Sequence, residues 1–158
     1  MLSSRTGRGV TGVTENNRAG AVIVAAGSSQ RMKGVDKLFV ALAGKPLLAW
    51  TVDAFQVCEA IQDIVLVVHE RNVARTKAMA AEQGWSKVIE VCAGGSRRQD
   101  SVSRGIERLR PCGWVVVHDG ARPCVTPELI TRGLTEARTT GSSVAAVPVT
   151  DTIKLVAP

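Results

Sequence analysis

The sequence has few aromatic residues and no tyrosine: aromatics make up 3% of its 158 residues. Proteins that bind single-stranded nucleic acids stack bases on aromatic side chains, so this composition argues against that class. The formal net charge is +6, but no basic block is long enough for a nucleic-acid-binding arm. We therefore expect no nucleic-acid partner, and the moderate positive charge suits a cleft for phosphorylated substrates.

Long hydrophobic runs are also missing. No apolar stretch approaches the roughly 20 residues that span a bilayer, and the N-terminus lacks the apolar segment of a secretory signal. We therefore expect a cytoplasmic protein with no membrane partner. The four cysteines have no C-x-x-C spacing, which argues against a zinc site or a redox motif. We predict free, mostly buried thiols at Cys58, Cys92, Cys112 and Cys124.

Apolar runs alternate with amphipathic stretches along most of the chain. Residues 1–20 are rich in small polar residues and arginine and lack periodicity, so they predict a flexible N-terminal tail. Strands are predicted at 21–25, 63–68, 88–92, 114–117 and 143–149, with a possible last one at 152–156. Helices are predicted from Pro46 through Phe55 and at 71–83, 100–109 and 127–138, with Ile106 facing inward. This order predicts an α/β domain over residues 21–158, with a Rossmann-like, mostly parallel sheet and helices on both faces.

The most informative stretch is AVIVAAGSSQRMKGVDK, residues 21–37. Its apolar strand ends in small residues at 26–29, which let the backbone approach a ligand, and cations follow at Arg31, Lys33 and Lys37. The stretch matches neither the P-loop pattern nor the G-x-G-x-x-G pattern. A strand followed by a small-residue loop and cations still predicts a phosphate-binding loop at the carboxyl edge of the sheet.

Two further polar loops follow predicted strands, at residues 94–101 and 118–123. Loops after parallel strands gather on the carboxyl edge of the sheet, so the three loops are expected to meet. The first of the two offers glycines, hydroxyls and guanidinium groups at a helix start. A purely structural role remains open there, because Asp100 or Ser101 can simply cap that helix.

In the third loop, Asp119 directly follows an apolar strand. A carboxylate at this point is well placed for a Mg²⁺ ion bound to phosphates. Two alternatives remain open: Asp119 bonds only to loop N–H groups, or it forms a structural ion pair with Arg122. His118 is given no catalytic role and is expected to be a structural hydrogen bonder.

Four motifs in order, AAGSSQRM, GGSRRQDSV, VVVHDGARP and PVTDTIK, resemble the 2-C-methyl-D-erythritol 4-phosphate cytidylyltransferase family over residues 21 to about 156. The resemblance implies a nucleotidyltransferase that joins CTP to 2-C-methyl-D-erythritol 4-phosphate in isoprenoid precursor synthesis. The products would be 4-diphosphocytidyl-2-C-methyl-D-erythritol and diphosphate, and Mg²⁺ would assist. Ribitol-phosphate cytidylyltransferases look similar, so ribitol 5-phosphate or another sugar phosphate is an alternative acceptor.

The resemblance also implies roles for individual residues. Ala25, Ala26 and Gly27 would line the CTP triphosphate. Arg31 and Lys37 would be the catalytic residues, stabilising the charge that develops at the α-phosphate.

The other implied roles belong to the remaining loops. The positions at the cytosine would be Gly95, Ser96 and Ser101. Asp119 would lie near Mg²⁺ and the ribose, while Arg122 and Thr152 would face the methylerythritol phosphate.

The sequence departs from the family pattern in places. The family usually has a glycine at the position of Ser29, a proline at that of Asp36 and an acidic residue at that of Ser96. Family members continue beyond the position of Pro158 with a dimerisation arm and further basic residues. We therefore expect the domain to be truncated at its C-terminus, the full-length protein to be a homodimer, and a chain ending here to bind CTP with weak or absent transfer. A non-catalytic CTP-binding module is the remaining alternative.

Overall fold

A computed structural model describes residues 17–27 and 36–148 of the chain. In chain order its elements are β1 (Ala19–Ala25), β2 (Ala41–Leu42), β3 (Lys45–Pro46), α1 (Leu47–Val57), β4 (Asp63–Val68), α2 (Val73–Glu82), β5 (Val88–Ala93), α3 (Arg98–Ile106), β6 (Trp114–Asp119) and α4 (Pro127–Thr140). The short β2 and β3 pair as an antiparallel hairpin. Arg31 and Thr152 lie outside the described residues, as does most of the predicted tail.

The other four strands form one parallel sheet in the order β5-β4-β1-β6. Strands β1 and β4 lie in its middle, and their apolar side chains are almost completely buried. After β5 the chain crosses to the far side of β1 and adds β6 there. The strand order therefore reverses between β1 and β6, which is where open α/β sheets bind ligands. The predicted α/β fold is confirmed.

Helices cover both faces of this sheet. On one face, Leu48 and Phe55 of α1 pack with Leu134 of α4 and Met79 of α2 in the larger core cluster. On the other face, helix α3 contacts β1, β4 and β5, and a smaller apolar cluster there includes Val22 and Val67. The core is thus built from the predicted apolar strands and one face of α1.

Helix α3 approaches the sheet through small residues. Ser101 and Gly105 are buried, and a Cβ on Gly105 would collide with Val22 and Val67. The prediction that Ile106 faces inward is wrong, because its side chain is 44% exposed. Residues four apart share one face of a helix, so a stripe at 101 and 105 turns residue 106 away from the sheet.

The N-terminal boundary also differs from the expectation. Strand β1 begins at Ala19, and Arg18 already belongs to the fold. The Arg18 carbonyl accepts hydrogen bonds from the backbone N–H groups of Gly113 and Trp114, and its guanidinium binds Asp63. The last residues of the predicted tail are therefore part of the domain.

The predicted strand at 143–149 is wrong over residues 143–148, which form no strand. Val144 and Val147 are 90% and 85% exposed. A strand forms where its N–H and C=O groups find a neighbour, and no described strand pairs with this segment. Residue 149 and the possible strand at 152–156 lie outside the described residues.

The ends of α4 follow the sequence signals. Thr126 caps the helix by accepting a hydrogen bond from the Leu129 N–H at 3.2 Å, and Pro127 occupies the first position. Gly141 ends the helix in a left-handed conformation with φ of 89°. Such a conformation favours glycine, which has no Cβ.

The four cysteines are free thiols, as predicted; Cys58 and Cys92 are buried, whereas Cys124 is exposed. In the part of the chain that the structure covers, none of the helices combines the length and apolarity needed to cross a membrane.

Candidate nucleotide-binding site

A cavity of about 450 Å³ opens at the carboxyl edge of the sheet, where the strand order reverses. Nine of the predicted site residues line it: Ala25, Ala26, Gly27, Lys37, Gly95, Ser96, Ser101, Asp119 and Arg122. The cavity is also lined by five residues to which no role was given: Val24, Leu38, Arg97, Arg98 and Ala121. The three loops that the sequence predicts to meet therefore do so through their described residues.

The loop after β6 is packed tightly against the end of β1. The Gly120 N–H donates to the Val24 carbonyl at 2.8 Å, and a Cβ at Gly120 would lie 2.8 Å from the Ala25 side chain. On its other side, the buried Thr51 hydroxyl of α1 donates to the Gly120 carbonyl at 3.1 Å. These contacts fix the backbone immediately after Asp119.

Asp119 lies between two arginines. Arg98 Nη2 is 2.9 Å from Oδ1, and Arg122 Nε is 3.0 Å from Oδ2. Partial burial favours a higher pKa for Asp119, but the hydrogen bond and charge of Arg98, with the charges of Arg122 and His118, hold that pKa below its ordinary value. Asp119 is therefore ionised at neutral pH, with both of its oxygens paired to arginines.

The ion pair between Asp119 and Arg122 that the sequence left open is present. Both arginines also line the cavity, with side chains 60% exposed for Arg98 and 75% for Arg122. They are therefore held at the cavity by Asp119 and remain accessible to an anion. The ring of His118 lies against Phe55 and is 3.1 Å from the Arg122 carbonyl, the structural role expected.

The loop between β5 and α3 is shaped by its own side chains. Asp100 accepts a hydrogen bond from the Arg97 N–H at 3.1 Å and so caps α3, the alternative that the sequence left open. Hydrogen bonds from Arg97 lower the pKa of Asp100. Ser101 is 2% exposed; its hydroxyl accepts from the Gly95 N–H at 3.0 Å and donates to the Arg97 carbonyl. Ser101 thus holds the loop in shape at the cavity wall.

Gly94 lets this loop touch the loop after β1. A Cβ at Gly94 would collide with the side chains of Ala26 and Ser101. The absence of a side chain there therefore joins two walls of the cavity.

Lys37 reaches the cavity from a short 3-10 turn, Lys37–Phe39. Asp36 caps this turn by accepting a hydrogen bond from the Leu38 N–H at 3.2 Å, while the Leu38 side chain is buried in the core. The backbone that carries Lys37 is thus attached on both sides.

The cavity wall is strongly basic. Four of its residues are cationic and one is anionic: Lys37, Arg97, Arg98 and Arg122 against Asp119. This excess suits a ligand with several negative charges. Sequence reasoning noted guanidinium groups in residues 94–101 but gave Arg98 no role, because its contact with Asp119 joins residues 21 positions apart.

The described residues contain no group of three or more His, Cys, Asp or Glu side chains able to hold a metal by themselves. Asp119 is a single ionised carboxylate beside a wall of anion-binding groups. Mg²⁺ is commonly held in this way, by one or two carboxylates together with substrate phosphates and water. The donor set therefore fits a metal ion that arrives with a nucleotide.

Comparison with known proteins gives a consistent result. The family model described as IspD, 2-C-methyl-D-erythritol 4-phosphate cytidylyltransferase, matches residues 19–158. A curated protein of that name from Dehalococcoides mccartyi strain CBDB1 is 51% identical over 143 residues, which cover 90% of this chain and 63% of the relative. A bifunctional enzyme IspD/IspF from Desulforudis audaxviator is 42% identical over 87% of this chain and 36% of its own length.

Solved structures agree. A crystal structure of 4-diphosphocytidyl-2C-methyl-D-erythritol synthase superposes with a TM-score of 0.69 at 28% identity, covering 89% of this chain and 64% of the other. The synthase of that name from Anaerococcus prevotii gives a TM-score of 0.66 at 26% identity over 78% of this chain and 52% of its own. The chain thus spans about three fifths of the length of the D. mccartyi relative.

Proposed function

The chain belongs to the 2-C-methyl-D-erythritol 4-phosphate cytidylyltransferase family, and from this premise we propose that its cavity binds CTP. The proposed reaction transfers the cytidylyl group to 2-C-methyl-D-erythritol 4-phosphate, giving 4-diphosphocytidyl-2-C-methyl-D-erythritol and diphosphate. The observation that carries the proposal is the basic cavity at the reversal of strand order, with small residues on one wall and Lys37 and two arginines around Asp119.

The chemistry suits these residues. The attacking phosphate oxygen is already a nucleophile, so no strong base is required. The barrier lies in bringing two anions together and in stabilising the charge at the α-phosphate, which positioned cations can do. Lys37 is proposed to contact the α-phosphate, and Arg31, which lies outside the described residues, is proposed as its catalytic partner.

The triphosphate is proposed to lie along Ala25, Ala26 and Gly27. Because these side chains are small or absent, backbone N–H groups can approach the phosphates closely. Arg98 extends the basic wall at this point, and we add it to the proposed phosphate contacts.

The cytosine is proposed to lie at Gly95, Ser96 and Ser101. Backbone donors and acceptors in a rigid loop can distinguish bases by their hydrogen-bonding edges, and the buried Ser101 gives this loop its rigidity. The acceptor is proposed to contact Arg122 and Thr152, the latter outside the described residues.

Asp119 is proposed to hold Mg²⁺, shared with the CTP phosphates. When bound, the ion would neutralise phosphate charge and orient the triphosphate. Both carboxylate oxygens of Asp119 contact arginines, so the residue contributes a fixed, ionised ligand whose arginine partners can turn toward the phosphates.

We also propose that residues 21–158 form the nucleotidyltransferase domain, with Ala19 and Gly20 added from β1. The family resemblance supports a homodimer for the full-length protein and a cytoplasmic location, without nucleic-acid or membrane partners. Gel filtration of the full-length protein tests the homodimer.

Two measurements on the purified chain test the function. Calorimetric titration with CTP and Mg²⁺ tests the cavity, and diphosphate release with 2-C-methyl-D-erythritol 4-phosphate tests the transfer. Ribitol 5-phosphate serves as the competing acceptor, and Lys37→Ala is compared with Glu82→Gln, a charge change at the exposed end of α2. We expect CTP binding that Lys37→Ala weakens and Glu82→Gln leaves unchanged. Binding of CTP that is insensitive to Lys37, or preference for ribitol 5-phosphate, would contradict the proposal.

A further inference from the structure

Asp36 stands one residue before Lys37, where its negative charge would oppose a triphosphate unless it were otherwise engaged. The structure engages both of its carboxylate oxygens. Oδ1 accepts from the Leu38 N–H at 3.2 Å, and Oδ2 accepts from the side-chain amide of Asn72. The guanidinium of Arg71 is also close: its Nη2 lies 3.9 Å from Oδ2 and offsets the negative charge of Asp36.

These contacts join two separate parts of the chain. Asn72 is 7% exposed and lies between β4 and α2, whereas Asp36 begins the turn that carries Lys37. The same connection between the two parts is strengthened by Arg75 of α2, whose guanidinium carbon lies 3.8 Å from the centre of the Phe39 ring. The turn is therefore attached to the α2 side of the core by a carboxylate–amide pair and a cation–π contact.

We propose that Asp36 is a positioning residue for Lys37: its carboxylate fixes the Lys37–Phe39 turn on Asn72 and so holds the lysine at the cavity. This inference rests on the proposed function, in which Lys37 contacts the α-phosphate of CTP. Asp36 itself touches no substrate. Its carboxylate suits this position because one side chain must accept from Leu38 and from Asn72 at the same time, and the two oxygens of a carboxylate can do so.

The expected effect is transmitted through Lys37 alone. Asp36→Ala removes both acceptors and is expected to weaken CTP binding about fivefold, the size expected for losing one hydrogen bond. Combining Asp36→Ala with Lys37→Ala is expected to cost no more than Lys37→Ala by itself, because residues that act through one group are not additive. Asp36→Asn, which keeps an acceptor for Leu38 and can pair with a rotated Asn72 amide, is expected to restore most of the binding.

The experiment measures two quantities on the same set of variants. Calorimetry gives the dissociation constant of CTP, and amide hydrogen exchange gives the protection of the Leu38 N–H. The inference predicts faster Leu38 exchange in Asp36→Ala and in Asn72→Ala, but not in Glu82→Gln at the other end of α2. The inference would be overturned if the losses of CTP affinity caused by Asp36→Ala and Lys37→Ala multiplied in the double variant. It would also be overturned if Asp36→Ala left the exchange of the Leu38 N–H unchanged.

Failure of the proposed function gives a different result. If the unchanged chain does not bind CTP, the function fails, while Leu38 exchange still decides whether Asp36 fixes the turn. If Asp36→Ala does not fold, Asp36→Asn and Asn72→Ala decide. Leu38 exchange that is faster in Asn72→Ala than in Asp36→Asn supports the inference. The same Leu38 exchange rate in the two variants overturns it.

Discussion

Within residues 17–27 and 36–148, two aspartates each bind two arginines, at opposite edges of the same sheet. At the amino edge, Asp63 contacts Arg18 at 3.0 Å and Arg110 at 3.2 Å. At the carboxyl edge, Asp119 contacts Arg98 and Arg122 at similar distances. The Asp63 side chain is 7% exposed, whereas that of Asp119 is 33% exposed and lines a cavity.

The comparison separates a structural cluster from a candidate functional one. The chemical groups are the same, so their types do not decide the role. What differs is the access of a ligand to each cluster. The Asp119 cluster adjoins the small-residue loop after β1, where the strand order reverses. The Asp63 cluster lies where strands begin and joins them to each other. We therefore expect substitutions at Asp119 to change ligand binding and substitutions at Asp63 to change stability.

The largest expected effect is on ligand binding. Asp119→Asn removes the charge that holds both arginines and the proposed metal, so the affinity for CTP with Mg²⁺ should fall about tenfold or more, as expected for losing hydrogen bonds to charged groups. The free energy of unfolding should change by less than about 1 kcal/mol, because the carboxylate is partly exposed. Calorimetric titration and denaturant unfolding measure the two quantities. A large loss of stability with unchanged CTP affinity would contradict the division between the two clusters.

The second effect is on stability. Asp63→Ala leaves Arg18 and Arg110 without their buried partner and should lower the free energy of unfolding by about 3 kcal/mol. CTP affinity of the folded protein, measured by calorimetry below the unfolding transition, should stay within about twofold of the unchanged chain, well inside one hydrogen bond's contribution. Weakened CTP binding by a well-folded variant would show that the amino edge takes part in the site.

A smaller effect is expected at Thr51, which supports the loop after Asp119. Thr51→Val keeps the shape but removes the hydroxyl that binds the Gly120 carbonyl, and should cost about 1 to 2 kcal/mol of stability. CTP affinity should fall modestly if that carbonyl positions Asp119. Thr135→Val, at an exposed hydroxyl of α4 that bonds to the Thr131 carbonyl within its own helix, is the matched control and should leave CTP affinity unchanged. Equal CTP affinities in the two variants would remove Thr51 from the support of the site.

The smallest effect is a pH dependence at Asp100. Hydrogen bonds from Arg97 hold its pKa in the folded protein below the ordinary value of 3.8. Because the pKa of Asp100 is lower in the folded than in the unfolded protein, its ionised carboxylate stabilises the fold at pH values above the unfolded pKa. This stabilisation is lost as the pH falls through the folded pKa. The difference in thermal midpoint between the unchanged chain and Asp100→Asn should be constant above about pH 5 and shrink below about pH 4. A difference that grows on acidification would contradict this.

The sequence predicted the parts of the fold that depend on local pattern. Strands β1 and β4 are continuous apolar runs, and parallel strands of a covered sheet need that composition on both faces. The start of α4 was predicted in the same local way, whereas its end lies two residues beyond the predicted residue 138. The strand at 143–149 failed because a strand needs a neighbour, which the pattern of one segment does not supply.

The candidate site divides in the same way, into features that the local sequence predicts and contacts that it does not. Lys37 and Asp119 were placed at the carboxyl edge of the sheet because they belong to loops that follow predicted strands, and both line the cavity. The role of Arg98 and the pairing of Asp36 with Asn72 were not predicted, because these contacts join distant parts of the chain. Ile106 was misplaced because α3 meets the sheet through Ser101 and Gly105, small residues that an apolar pattern ignores.

The most direct test follows backbone amide resonances during titration with CTP and Mg²⁺. We expect the amides of Ala26, Gly95 and Asp119 to shift with one dissociation constant, while those of Asp63 and Arg110 do not respond. Saturable shifts at the amino edge, or none at the carboxyl edge with CTP in excess, would contradict the assignment of the cavity as the nucleotide site.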